Sequence, residues 1–500
     1  MSTTRYWIGG AIVAFWLVMI GLLARRELGV ERLVVDGSAQ AVRQGESWMG
    51  VYLGGEPCCG RSARVGYVHL RQSPETRRQL PGSKMELDAG MQLRLMGKAT
   101  ELDLSGSVWR PLGRAEADFD FAVRSAEYDF RIAGKLGGGE LVAEVSSAGE
   151  VFPLRLPVRG DMVFAGGFGA ALELPALEVG EEYRLESFDP VTLSKGDARI
   201  RCVAHEDLEV AGETIAARRL EVTMNGFRSE AWVDGAGEIV RAETPVGLVL
   251  QRITAAEALL GDGAAELLAD GGAELLDRTA IRPSGERPFR SASSMTVEIR
   301  GLDGRRLPGS RVQRRIGEDR YRLTAPEPPP PGTEVGEAPD PATLSADGFV
   351  QSDHPRIRRK AEEIVAGEAD PWRRALRLHE WVFTRLEKEA VVSIPSAIEV
   401  LQNLRGDCNE HTVLFTALAR AVGLPTRMGI GVVWSDELEG FYYHAWPEVY
   451  LDGRWIWMDP TLDQPLADAT HLELLVGGIE SWPQLLPYLG RLQIEVLDVR

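Results

Sequence analysis

Five hundred residues, 44% hydrophobic and 26% charged, can bury substantial cores, and about three domains is the prior for that length. The formal net charge of −18 argues against a nucleic-acid partner, since phosphate binding needs clustered Lys and Arg. Four cysteines, Cys58, Cys59, Cys202 and Cys408, are too few for a disulfide scaffold. A bridge from Cys58 or Cys59 to Cys202 and three separate buried thiols both remain open.

Residues Tyr6 to Ala24 carry no charge. A run of about nineteen apolar residues, rising ~1.5 Å each, just crosses a bilayer core, so a transmembrane helix is expected here. The run ends in Leu22-Leu-Ala-Arg-Arg without an Ala-x-Ala cleavage site, which predicts an uncleaved anchor over residues 1–30. Arg25, Arg26 and Arg32 against Arg5 mildly favour a cytoplasmic C-terminal side, but large domains translocate past such charges. The expectation is a single-pass inner-membrane anchor with the body in the periplasm.

Residues 31–255 read as an antiparallel β-rich domain. Trp48-Met-Gly-Val-Tyr-Leu, Ala117-Asp-Phe-Asp-Phe-Ala-Val and Glu140-Leu-Val-Ala-Glu-Val alternate with period two between Gly-rich turns. The pattern loosely resembles the half-barrel domains of bacterial envelope proteins. It suits a groove for a ligand or envelope partner, and equally a spacer. Residues 256–345 follow as a helical linker built on Ala-Glu-Leu-Leu units, a small β segment and a Pro-rich spacer around Pro328 to Pro331.

Residues 346–500 are mixed helix and strand. Pro355 to Val365 and Pro371 to Leu386 have helical spacing, with His379 inside the second apolar stripe. After the turn Arg405-Gly-Asp-Cys, a stripe of Val413, Leu414, Ala417, Leu418 and Ala421 marks another helix. Asp407 suits its N-cap, and Glu410 three residues later completes a capping box. Cys408 then starts the helix, where the dipole favours a thiolate and lowers its pKa. Phe441 to Leu451 and Arg454 to Asp459 flank Asp452-Gly453, a two-residue hairpin signal. That register sets Trp446 opposite Asp459 and His444 opposite Thr461, so His444 and Asp459 share a face, roughly 7 Å apart at Cβ. Pro447 weakens the ladder locally. A thiol nucleophile needs a base, and the base needs an orienting carboxylate; Cys408, His444 and Asp459 supply the set. His411 lacks HExxH or Cys-pair spacing, so neither a metal nor a cofactor is expected.

Gly406-Asp-Cys-Asn-Glu-His-Thr-Val-Leu-Phe-Thr-Ala-Leu-Ala-Arg, His444-Ala-Trp-Pro-Glu-Val-Tyr and Trp457-Met-Asp-Pro-Thr resemble the three blocks of the bacterial transglutaminase-like superfamily, over about residues 350–475. The resemblance implies a papain-like α+β fold with Cys408 as nucleophile, His444 as general base and acid, and Asp459 as orienting carboxylate. Gln402, six residues before Cys408, stands at the offset of the papain-like oxyanion glutamine. The implied activity is on amide bonds of protein or peptide substrates, by hydrolysis. An amine-accepting acyltransferase and a non-catalytic envelope binding or assembly protein are the alternatives. The expected architecture is therefore multidomain: transmembrane helix, half-barrel-like antiparallel β domain, and C-terminal papain-like, transglutaminase-like domain.

Overall fold

The computed structural model describes residues 31–32, 44–53, 63–259 and 280–500, apart from short breaks, the longest at 165–176 and 390–395. Among the described residues, sixteen strands join in one sheet. At its centre Leu248–Ile253 pairs with Gly45–Leu53, with Leu250 opposite Val51. From that seam successive hairpins run outward, to Glu150–Pro157 on one side and back to Glu182–Asp189 on the other. These neighbours are antiparallel; only the short strands Glu31–Arg32 and Met162–Phe164 pair parallel, both with Glu182–Asp189.

Alternation explains how this sheet meets the rest of the chain. In Glu140–Ser147, Leu141, Ala143, Val145 and Ser147 are buried while Glu140 and Glu144 are exposed, as a strand with one covered face requires. The turn before it places Gly138 and Gly139 at φ +63° and +81°, the left-handed pair of a tight hairpin. Phe130, Ile132, Leu141 and Val145 belong to the same core as Phe349, Ile357, Leu378 and Val413, so the β-rich region and the C-terminal helices share buried apolar surface. Ser147 Oγ donates to Glu399 Oε2 at 2.8 Å inside that contact.

The C-terminal region has helices α1 (Pro355–Val365), α2 (Pro371–Arg385), α3 (Ala397–Asn403) and α4 (Cys408–Ala421). A sheet of β1 (Thr426–Ser435), β2 (Gly440–Leu451), β3 (Arg454–Trp457) and β4 (Leu472–Val476) lies beside them in the order β3-β2-β1-β4. The chain's last strand, Gln493–Val499, returns to a separate five-stranded sheet and pairs with Ser294–Arg300. Met295, Val297 and Ile299 of that sheet pack with Val432, Trp434 and Leu472.

Two expectations are corrected. The described architecture is a large antiparallel β-rich N-terminal region followed by a small C-terminal α/β region, without the transmembrane helix of the expected fold class. Among the described residues no helix is long and apolar enough to cross a membrane. The longest labelled helix, α2, has fifteen residues, about 22 Å against a bilayer core of about 30 Å, and it carries Arg373, Arg374 and Arg377. The helix expected over Tyr6 to Ala24 lies outside the described residues. A single-pass inner-membrane anchor with a periplasmic body is thus unsupported.

Candidate active site

The site begins with the turn that delivers Cys408. Glu387–Lys388 pairs parallel with Arg405–Gly406, which ties the turn to the end of α2. Gly406 has φ +149°, and a Cβ there would stand 2.2 Å from Glu410 Cγ; only glycine fits. Beyond it the predicted capping box is present. The Asp407 carboxylate accepts from the Asn409 N–H at 2.8 Å, and Glu410 Oε2 accepts from the Asp407 N–H at 2.8 Å. Cys408 is therefore the first residue of α4.

The ladder between β2 and β3 follows the expected register from Leu451–Arg454 to Glu448–Trp457, across a turn with Asp452 and Gly453 at φ +56° and +67°. It continues as a Met458 N–H to Pro447 C=O bond of 3.0 Å and then parts, because Asp459 turns away to bridge Gln464. Beyond that point β2 has an edge free of β3, and α4 takes it. Thr412 Oγ1 donates to the Ala445 C=O at 3.0 Å, and the Ala445 N–H donates to the Cys408 sulfur. Cys408 is thereby fixed beside the residue next to His444.

His444 Nε2 lies 2.8 Å from Asp459 Oδ2, leaving Nδ1 as the nitrogen for proton exchange. Asp459 is fully buried. Its Oδ1 accepts from the Thr461 and Leu462 N–H groups at 2.8 and 3.0 Å, and its Oδ2 also meets His471 Nε2 at 3.1 Å. Burial opposes its charge, but the charge and hydrogen bond of His444, with the hydrogen bond of His471, hold its pKa well below the ordinary carboxylate range.

The model of the transglutaminase-like superfamily matches residues 358–460. The chain carries a transglutaminase-like domain. Cys408, His444 and Asp459 all fall within the matched stretch, whereas Asp468 and His471 lie beyond it. Among solved structures, the "Putative Cysteine Protease from Cytophaga hutchinsonii" is 18% identical, covers 42% of this chain and 85% of its own, and gives a TM-score of 0.27. A β-barrel-like protein of a domain of unknown function from Brucella abortus is 8% identical, covers 43% and 96%, and gives 0.30. No curated protein sequence matches the chain.

One expectation for the transglutaminase-like domain reverses. The helix start was expected to lower the Cys408 pKa. Instead burial pushes the thiol well up, and the nearby carboxylates Asp407, Glu410 and Asp459 push the same way, against the Ala445 hydrogen bond. Burial is the largest cause, and the carboxylates that cap α4 act in the same direction. These surroundings favour the thiol form of Cys408.

Other polar residues of the transglutaminase-like domain support these three. His379 is buried on α2, and its Nε2 is 3.1 Å from the Asp459 C=O; burial lowers its pKa, so it is a neutral donor to that carbonyl. His411 is fully buried and donates from Nδ1 to the Asp407 C=O at 2.7 Å, with its pKa lowered by burial to about 4. Trp446 is fully buried, 5.3 Å from the Trp457 ring. Gln402 is exposed on the last turn of α3, outside the hydrogen-bonded group around Asp459. The ligand atoms of His444, Asp459 and His471 lie within 4.8 Å of one another, close enough to hold a metal, but two hydrogen bonds to one carboxylate oxygen account for that spacing. Cys202 is a buried free thiol; Cys58 and Cys59 lie outside the described residues.

Sequence reasoning missed His471. The signal was present in Asp468-Ala-Thr-His471, with three polar residues directly before the strand β4.

Proposed function

We propose that the transglutaminase-like domain is a thiol hydrolase acting on amide bonds of protein or peptide substrates. The observation that carries this reading is the 2.8 Å contact of His444 Nε2 with Asp459, with Cys408 tied to the adjacent Ala445. In this reading Cys408 attacks the amide carbonyl as its proton passes to His444 Nδ1. The new S–C bond gives a tetrahedral oxyanion, and the Cys408 N–H at the first helical position, which has no intrahelical acceptor, is available to it. Collapse breaks the C–N bond, and His444 returns the proton to the leaving amine. Water then attacks the thioester, losing a proton to His444, which passes it back to the departing sulfur.

With burial favouring the thiol form, proton transfer accompanies attack in this reading. His444 must be neutral at that moment, with Nε2–H directed at Asp459. The test is turnover of a peptide library by the full-length protein, read by mass spectrometry, with and without a labelled primary amine. Cleavage lost in Cys408→Ala and in His444→Ala supports hydrolysis. Incorporation of the amine in place of water makes the same intermediate that of a cross-linking acyltransferase. A wild-type protein that neither cleaves nor transfers removes the enzymatic reading.

A further inference from the structure

The buried polar chain around Asp459 does not stop at His444. His471 is fully buried, its Nε2 is 3.1 Å from Asp459 Oδ2, and its Nδ1 is 3.2 Å from the Asp468 C=O and 3.3 Å from Asp468 Oδ1. Among the described residues, every hydrogen-bond partner of this ring is an oxygen acceptor. An imidazole nitrogen facing an ionised carboxylate must carry a proton, since two lone pairs repel, and the surroundings of Asp459 and Asp468 hold both pKa values low. With both nitrogens so placed, the ring carries two protons and a positive charge, and has no lone pair for a metal.

Asp468 is built to hold that charge. It accepts from the Thr470 N–H at 2.9 Å on Oδ1 and from the Ser291 N–H at 2.9 Å on Oδ2. Arg290 Nε lies 3.2 Å from the same Oδ2. Arg290 and Ser291 precede the strand Ser294–Arg300, so the five-stranded sheet reaches the site through Asp468. Two anions and two cations alternate in the order Arg290, Asp468, His471, Asp459, which lets buried charges stay ionised. Burial opposes the charge on His471, but the hydrogen bonds and charges of Asp459 and Asp468 prevail and hold its pKa above the ordinary histidine range.

We propose that His471 is a positioning residue of this site: a buried imidazolium, held by Asp468 and Arg290, that clamps Asp459 in the orientation His444 requires. Its consequence for turnover rests on the hydrolase reading above; its protonation state does not. Asp459 Oδ2 receives His444 and His471 from two sides, while Oδ1 is fixed by two backbone N–H groups. The carboxylate therefore has one rotamer, and His444 one tautomer, with Nδ1 bare.

The test has two arms. In full-length protein labelled with 15N-histidine, with seven histidines in all and His471→Gln used for assignment, ring-nitrogen shifts at pH 6.5 are expected to show two protonated nitrogens on His471. One unprotonated nitrogen on that ring overturns the proposal, whatever Cys408 does. In turnover, His471→Gln keeps an amide donor for Asp459 but no charge. It is expected to lower kcat on the order of 10–100-fold, the scale seen where the partner of a metal-ligating histidine or carboxylate is lost, with KM unchanged and the thermal melt still cooperative. Asp468→Asn, which leaves His471 in place without its counter-charge, is expected to lower kcat in the same direction. A folded His471→Gln protein with wild-type kcat overturns the proposal. If wild type itself forms no acyl-enzyme on Cys408, the hydrolase reading fails instead, and the 15N arm alone decides the state of His471.

Discussion

His444 and Asp459 meet at 2.8 Å between Nε2 and Oδ2 although the ladder carrying them has already parted after Glu448 and Trp457. The contact is not a cross-strand pair. It is made by a bend in which Asp459 exchanges two backbone hydrogen bonds with Gln464, at 2.8 and 2.9 Å. The same bend leaves Ala445 on the edge of β2 open to Thr412 and Cys408 of α4.

Asp459→Asn tests the bend's purpose. The amide can keep the contact with the Thr461 and Leu462 N–H groups, but it turns a donor or a weaker acceptor toward His444 and His471. A kcat lower by on the order of 10³–10⁴-fold is expected, the scale of a triad left with the wrong tautomer. Steady-state kinetics on a folded variant checks it; a loss of less than tenfold would mean that Asp459 does not orient the base.

Gly406→Ala should be damaging out of proportion to one methyl group. Its Cβ would stand 2.2 and 2.3 Å from Glu410 Cγ and Cβ, and its φ of +149° disfavours any L side chain. Relief requires Glu410 to leave the Asp407 N–H, which opens the capping box. A loss of about 1–3 kcal/mol is expected, read by urea unfolding, together with reduced turnover because Cys408 shifts with the cap. Unchanged stability would show that the turn is looser than described.

Cys408 should alkylate as a thiol held up by burial and neighbouring anions. Its iodoacetamide rate is expected to be below that of free cysteine at pH 6 and to keep rising into the alkaline range, with peptide mapping to separate it from Cys202. A plateau already reached at mildly acidic pH would point to a preformed thiolate and to a stepwise proton transfer.

His411 gives stability a pH dependence of known sign. Its pKa falls from 6.5 to about 4 on folding, through burial. Between those values the unfolded chain binds the extra proton, so this contribution is full above 6.5 and lost as pH falls toward 4, by about 3 kcal/mol in all. His379, also lowered by burial, acts in the same direction. His471, raised, acts oppositely: its contribution is full below 6.5 and is lost as pH rises through its folded value. Urea melts between pH 4.5 and 6.5 should steepen with pH less in His411→Gln than in wild type; identical slopes would contradict a buried neutral His411.

How much of this was legible beforehand follows from sequence distance. The capping box and the Asp452-Gly453 hairpin are local, and both appear as the residues dictate. Cys408, His444 and Asp459 could be grouped because two of them sit in one hairpin and the third at a marked helix start. The pairing of Gln493–Val499 with Ser294–Arg300 could not, since no local pattern chooses a partner strand almost two hundred residues away. His471 was hidden for a similar reason: it reaches Asp459 only through the irregular Gln464 bend. The thiol's environment is not legible in the sequence, because the burial of Cys408 and the charges of Asp407, Glu410 and Asp459 act on it together only in the folded chain.

The most direct measurement is acyl-enzyme trapping. Full-length protein is mixed with a peptide substrate found in the cleavage screen, quenched in acid within the first turnover, and its intact mass and peptide map are read. The account predicts an added acyl mass on Cys408, absent in Cys408→Ala and slow to form in His444→Ala. Cleavage with no acyl mass on Cys408, or an adduct on another residue, would contradict it.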